Sequence, residues 1–551
     1  MNNRIESVTI VGGGTAGWLS AVMLATFMNG RHDGPPIRIT LIESPNIPSV
    51  GVGEATVPGM ARLLAQLDID ETAFFRRCNA SFKCGVRFRG WNLDPDGSPH
   101  NFIHPFNAAR AIGGGHNPAY HFHSFAFGSG TADVVDSLVP NVALIDRRLG
   151  PRRTDDPTYQ GTIGYSYHLD AARFAELLRD AGMARGVERI LDDVEDVELG
   201  EPGRVAALHL ARGGRHEVEF VLDCTGFRSL ILGKAMAEPF EPWGNHLLCD
   251  RAIPLQLDHL DPRRLEVCTE ATALGAGWVW TVPLFNRVGL GYVFSSAFRS
   301  DEEAWAEFRD HLSGRGFRPP AEAPRAIAMR IGRHHRSWVG NCVAVGLSGG
   351  FIEPLEATAI HTIEMTIRQL IEHFPSRAIS QLVADRFNRR VDALQRNILE
   401  FIVMHYALSN RPEPFWRAAR EDIQIPDALA ENLALWRQTM PCAGHVDDSQ
   451  LFSYWSYIFC LYGKGHFDGA RFPIEGSVRR EDWREYTANL DEAKRQLIEG
   501  LPDHRDLVAH IRGDTMAPAF RTGGTFTAGT VALPGTVQRP IIGGLNRPGS
   551  A

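Results

Sequence analysis

The pattern that most constrains this chain comes first. Ser7 to Val11 reads S-V-T-I-V, a short β-branched strand, and Gly12 to Gly17 follows as G-G-G-T-A-G. An apolar stretch, Trp18 to Phe27, predicts a helix; Ile37 to Ile42 predicts a second strand, and Glu43 ends it. Strand, glycine turn, helix, strand, acid is the order of a dinucleotide-binding module. Gly12 permits the tight turn, Gly14 lets the backbone approach a pyrophosphate, and Gly17 lets helix and strand pack closely. Thr15 and Ala16 complete the turn. The helix start offers free N–H groups and a positive dipole end to phosphates. Glu43 is placed to accept hydrogen bonds from ribose hydroxyls.

The turn sits near the N-terminus and has no second copy in a strand-turn-helix context, which suits one wrapped FAD. Phe220 to Phe227, F-V-L-D-C-T-G-F, reads as a second flavin-contacting strand and turn; the strand C-V-A-V-G-L, from Cys342, reads as a third. Segments returning from distant sequence predict a discontinuous domain.

With 551 residues, 44% hydrophobic and 22% charged, the chain has the composition of a globular protein of two or three units. A net charge of -8 without a basic stripe argues against nucleic acid. No apolar run reaches the roughly 18 residues that span a bilayer. The start shows no secretory pattern, and eight scattered cysteines fit a reduced, cytoplasmic protein without a metal centre. Lysine is scarce: of 57 Lys plus Arg, only Lys83, Lys234, Lys464 and Lys494 are lysines. A site that needs a tunable amine cannot use Arg.

Five segments together resemble the flavin-dependent tryptophan halogenase family. They are G-G-G-T-A-G-W (from Gly12), G-V-G-E-A-T-V-P (Gly51 to Pro58), F-K-C-G-V-R-F-R-G-W (Phe82 to Trp91), G-W-V-W-T-V-P (Gly277 to Pro283) and G-F-I-E-P-L-E-A-T-A-I-H (Gly350 to His361). The resemblance implies an enzyme in which reduced FAD, O2 and chloride or bromide give hypohalous acid. The acid then reaches an aromatic substrate in a separate pocket.

Residue by residue, it implies Lys83 and Glu356 as catalytic, with Glu353 the choice if the register slips. Thr358 and Ala359 would hold the halide through backbone N–H groups, and Leu347 and Ile360 would contact flavin. Glu54 and Ala55 would lie on a strap over FAD. Trp278 and Trp280, alternating on one strand face, would wall the flavin off from the substrate. His104 and Phe106 would line the aromatic pocket; apart from the resemblance, Trp455 in the aromatic-rich last helix is placed to cover it. Ala357 and Ala359 stand where the family often has Ser and Gly, so halide geometry shifts if the Gly position needs positive φ.

The expected fold is α/β (α+β): a Rossmann-like FAD module of the monooxygenase/halogenase type with a mainly helical C-terminal substrate part. The expected division is 1–375 for the discontinuous FAD and halide domain, 376–512 for the helical cover and 513–551 for a Gly/Pro/Thr-rich tail. Helices are expected over 378–401, 416–436 and 447–462. Expected partners are a separate flavin reductase and an indole, substituted indole or phenol, with a homodimer open. A flavin monooxygenase or a non-halogenating flavoprotein on the same scaffold are the competing readings.

Overall fold

The computed structural model describes residues 4–514, apart from 31–34, 48–52, 113–114, 130–131, 202 and 447–450. Gly51, at the head of the expected strap, Asp447, at the head of the last expected helix, and the tail beyond residue 514 thus lie outside the described residues.

The first strand, Ser7–Val11, is central to a six-stranded sheet. It pairs in parallel with Arg38–Glu43 on one side and Phe220–Asp223 on the other. Cys342–Ala344 and Glu188–Leu191 extend the parallel part, and Trp338–Val339 closes one edge antiparallel. Parallel strands covered on both faces read as continuous apolar runs, which is why Val8–Val11 and Phe220–Leu222 lack alternation. Helix Thr15–Leu24 packs against helices Ala171–Ala184 and Ala359–Glu372. The expected helix to Phe27 changes character at Ala25, where a wider π-helical turn runs to Asn29.

A second sheet of seven strands lies beyond this module, and local patterning showed only parts of it. Its order is Ile327–Ala328, Arg251–Leu257, Val288–Phe294, Gly277–Pro283, Thr269–Leu274, Gly85–Leu93, Pro99–Pro105. All pairs are antiparallel except Thr269–Leu274 with Gly85–Leu93. A small sheet joins Gly53–Ala55 and Ser81–Lys83 through their shared neighbour Ser166–Asp170.

The C-terminal part is helical. The helix expected from 378 runs from Gln381 to Ala407, because the apolar face continues through Phe401–Met404. The single helix expected over 416–436 is two, Pro414–Glu421 and Asp427–Leu435. Pro426, at the cap of the second, lacks the N–H a continuous helix would need. The last expected helix is Tyr454–Gly463. Packing crosses residue 375: Leu497, Leu501 and Leu507 share a core with the first strand and helix.

Candidate active site

A cavity of about 450 Å³ begins at the glycine turn, within the usual range for small-molecule sites. Gly14, Thr15 and Ala16 line one end, and Thr358, Ala359 and Ile360 line another part. Gly12 has φ +118, and a Cβ there would lie 2.2 Å from the Cys224 carbonyl oxygen, so only glycine fits. A Cβ on Gly14 would meet nothing within 4 Å, the open approach a pyrophosphate needs. A Cβ on Gly17 would lie 1.8 Å from the Gly12 carbonyl oxygen, so the helix packs directly onto the turn.

Glu43 lies under the turn. Its carboxylate accepts from the Trp18 indole N–H at 3.0 Å and pairs with Arg189. The loop after Phe220–Asp223 is shaped by the buried Asp223 carboxylate. It accepts from the Thr225, Ile231 and Leu232 N–H groups at 3.0, 2.9 and 2.9 Å, and Cys224, Gly226 and Phe227 then line the cavity. Leu347 is partly exposed at the cavity wall. Glu54 and Ala55 line it from the short strand, and desolvation pushes the Glu54 carboxyl up to about 7. An open glycine turn, a helix N-terminus and these returning loops fit FAD.

Lys83 is fully buried at the end of its strand. Its Nζ donates to the Thr56 carbonyl at 3.0 Å and lies 5.2 Å from the Phe106 ring centre. Thr56 lies within the Gly51 to Pro58 segment expected as a strap, so that segment and the lysine are tied directly. Burial lowers the amine to about 8, with Glu356 and then Cys268 opposing.

Glu356 is buried in a turn where it and Ala357 both have positive φ, +64 and +59. Its two oxygens lie 2.9 and 3.0 Å from His104 Nδ1. A carboxylate can only accept, so Nδ1 carries the proton of that bond. His405 Nε2 is 3.5 Å away. Burial alone would raise the Glu356 carboxyl, but the two histidines outweigh it and hold the group well below the usual range. Burial lowers the His405 imidazole to about 4, with Glu356 opposing. Cys460 Sγ also comes within 4.8 Å of the His104 and Glu356 donor atoms.

Helix Ala359–Glu372 starts right after this turn. Its first N–H groups have no partner in the helix ladder, a ready anion site. Ala359 is not among the positive-φ residues, so the replacement of Gly there costs nothing in backbone geometry; the strain falls on Glu356 and Ala357 instead.

Trp278 and Trp280 point to one face of Gly277–Pro283, with ring centroids 6.4 Å apart, and both line the cavity. Gly291 is opposite Trp280 across the strands, and a Cβ there would lie 2.0 Å from the indole. His104 is drawn to Glu356 and also faces Phe401 and Phe452, which stack at 3.8 Å. Phe106 sits beside Lys83 instead. Trp455 is buried on helix Tyr454–Gly463 between Tyr454 and Phe459.

The family model described as tryptophan halogenase matches residues 7–475. The chain belongs to this family. Tryptophan 7-halogenase RebH from Lentzea aerocolonigenes is 32% identical over 547 residues, covering 93% of this chain and 100% of that one. The crystal structure of tryptophan halogenase from Shewanella frigidimarina superposes with a TM-score of 0.85 at 31% identity, covering 93% and 98%. BrvH, a flavin-dependent halogenase from Brevundimonas, superposes at 0.82 with 34% identity, covering 93% and 100%. The tryptophan halogenase family is one of flavin-dependent halogenating oxidoreductases. The monooxygenase and non-catalytic readings are correspondingly disfavoured.

Four residues packed around His104, Glu353 and Glu356 escaped the sequence reading. His405 and Tyr406 sit in the apolar run F-I-V-M-H-Y, which reads as plain core. Phe401 and Phe452 carry no motif at all. The rarity of lysine did mark Lys464, which is buried beside the Trp91 and Phe102 rings and donates to Asn92 at 3.2 Å.

Proposed function

We propose that this chain is the halogenating component of a two-component system. A separate reductase would supply reduced FAD, and the product would be a halogenated indole or other electron-rich aromatic. Bound FAD, with O2 and chloride or bromide, would supply halogen at the oxidation level of hypohalous acid. The rest of the chemistry falls to the protein's own side chains.

The observation that carries this reading is one cavity that joins the glycine turn to Lys83 and Glu356, with Trp278 and Trp280 in its wall. Gly12, Gly14, Thr15, Ala16, Gly17 and Glu43 would seat the dinucleotide. Glu54, Ala55, Leu347 and Ile360 would flank the flavin. Thr358 and Ala359 would hold the halide on their N–H groups.

Lys83, buried and with a lowered affinity for protons, would hydrogen-bond or capture the electrophilic halogen. Glu356, kept anionic by His104, would accept the proton that the ring releases on rearomatisation. His104 is thereby a positioning group for Glu356. Phe106, beside Lys83, and Trp455 would contribute faces to the aromatic pocket. The two tryptophans would keep the substrate from the flavin.

We place the enzyme in a reduced, cytoplasmic setting. Eight free cysteines support this, and among the described residues no helix is long and apolar enough to cross a membrane. An aerobic assay tests the function: reduced FAD regenerated by a generic reductase, bromide or chloride, and a panel of indoles and phenols, with products read by mass spectrometry. Halogenated product that is lost in Lys83→Ala is expected. Oxygenated product without halogen would overturn the reading.

A further inference from the structure

Glu353 and Glu356 are three residues apart and both buried, yet their surroundings are opposite. Glu356 has His104 and His405 against it. Among the described residues, no Lys, Arg or His forms an ion pair with Glu353. Its neighbours are the Tyr406 hydroxyl, 2.9 and 3.1 Å from its two oxygens, and Trp278. A buried carboxyl without a cation is held neutral, because the charged form has lost its water and gained too little in return. Two carboxyls whose surroundings drive them apart in this way take different protonation states, and so different roles.

Glu353 also lines the cavity that holds Thr358 and Ala359. We propose that Glu353 is a charge gate for the halide: neutral, it is an inert wall beside the anion site; ionised, it puts an unbalanced negative charge there and expels the anion. The gate rests on the halide reading given above. It places no demand on Glu356, whose carboxylate already has the His104 imidazole as a hydrogen-bond donor.

Burial pushes the Glu353 carboxyl up to about 8, with Tyr406 and then Trp278 opposing. The gate therefore closes on the mildly alkaline side. The groups facing Glu353 are Tyr406, from helix Gln381–Ala407, Trp278, from the strand, and Cys249, whose thiol is 3.7 Å from the Tyr406 hydroxyl. Burial pushes Tyr406 and Cys249 well above their ordinary ranges, so neither titrates in this window. Lys83, in the same cavity, does titrate near 8 and would also weaken an anion site as it loses its proton.

Bromide binding to the FAD-loaded full chain, followed by 81Br NMR line broadening, tests the gate without needing turnover. In the native protein bromide should bind about tenfold more weakly at about pH 9.5 than at about pH 6.5. Glu353→Gln should keep the low-pH affinity and lose most of this dependence, whereas Lys83→Met should lose only the smaller part that its own deprotonation contributes. Tyr406→Phe removes a donor to the ionised carboxyl, so its midpoint should move to higher pH; it serves as the second test if Glu353→Gln folds poorly. A full pH dependence in Glu353→Gln, or none in the native chain, overturns the gate. Bromide that binds at no pH removes the halide reading itself, and the gate with it.

Discussion

The Nδ1 of His104 lies 2.9 and 3.0 Å from the two carboxylate oxygens of Glu356, a residue 252 positions further along the chain. The side chains of this pair are 4% and 1% exposed, so solvent screens the interaction little. Breaking it leaves a buried carboxylate with only the more distant His405. His104→Ala should therefore destabilise the fold by about 3 kcal/mol at neutral pH, the cost typical of orphaning a buried charge. Denaturant unfolding checks this.

The same pair sets a sign for pH. The Glu356 carboxyl is held below its unfolded value, so its stabilisation is complete at neutral pH and fades only as pH falls through the folded value, in strong acid. His104→Ala should raise that folded value, so that in the variant mild acid protonates the orphaned carboxylate and relieves its penalty, while the native chain loses its stabilisation only in strong acid. Tm of the native chain and variant, measured across the acid range, would show the two curves converging as pH drops; parallel curves would contradict the assignment.

Lys83 works in the opposite direction. Its folded value is lowered to about 8, so the ammonium is disfavoured in the fold, and stability recovers as pH rises from about 8 towards the unfolded value. Lys83→Met should abolish halogenation yet raise stability at neutral pH, by an amount on the order of 3 kcal/mol that shrinks as pH approaches 10. Unfolding at the two pH values, with FAD retention as a control, separates this outcome from simple misfolding.

Gly291 gives the Trp280 indole its space, since a Cβ would lie 2.0 Å from the ring. Gly291→Val should displace the ring, cost about 2 kcal/mol through overpacking, and open the wall between flavin and substrate. More hydrogen peroxide or oxygenated product per halogenated product is the expected readout. An unchanged product ratio, with the lost stability confirmed, would deny the tryptophans their separating role.

Ala357 carries φ +59 without being glycine. Ala357→Gly should relieve about 1 kcal/mol of backbone strain, partly offset by the greater chain entropy of glycine. Ala359 is already in a helical conformation, so Ala359→Gly should leave bromide affinity unchanged and slightly lower Tm. Thermal melts with bromide titration test both together.

Much of this protein was legible because the relevant physics is local. Gly12 to Gly17 between two apolar strands can form little other than a phosphate-binding turn, since the positive φ at Gly12 and the bare backbone at Gly14 are properties of those residues themselves. The alternation of Trp278 and Trp280 fixes their shared face, and the scarcity of lysine singled out Lys83 before any geometry was known. The family segments carried Glu356, Thr358 and Ala359 into one turn and helix start.

Only the tertiary structure decided who stands next to whom. His104 was expected to face a substrate ring, and the fold sets its Nδ1 against Glu356. His405 and Tyr406, neighbours on one apolar helix, serve different carboxyls: the first helps keep Glu356 charged, and the second bonds a Glu353 that has no cation beside it among the described residues. Sequence specifies a carboxyl at each position, but its protonation depends on water lost and partners gained, and those partners come from other strands and helices, up to 252 residues away.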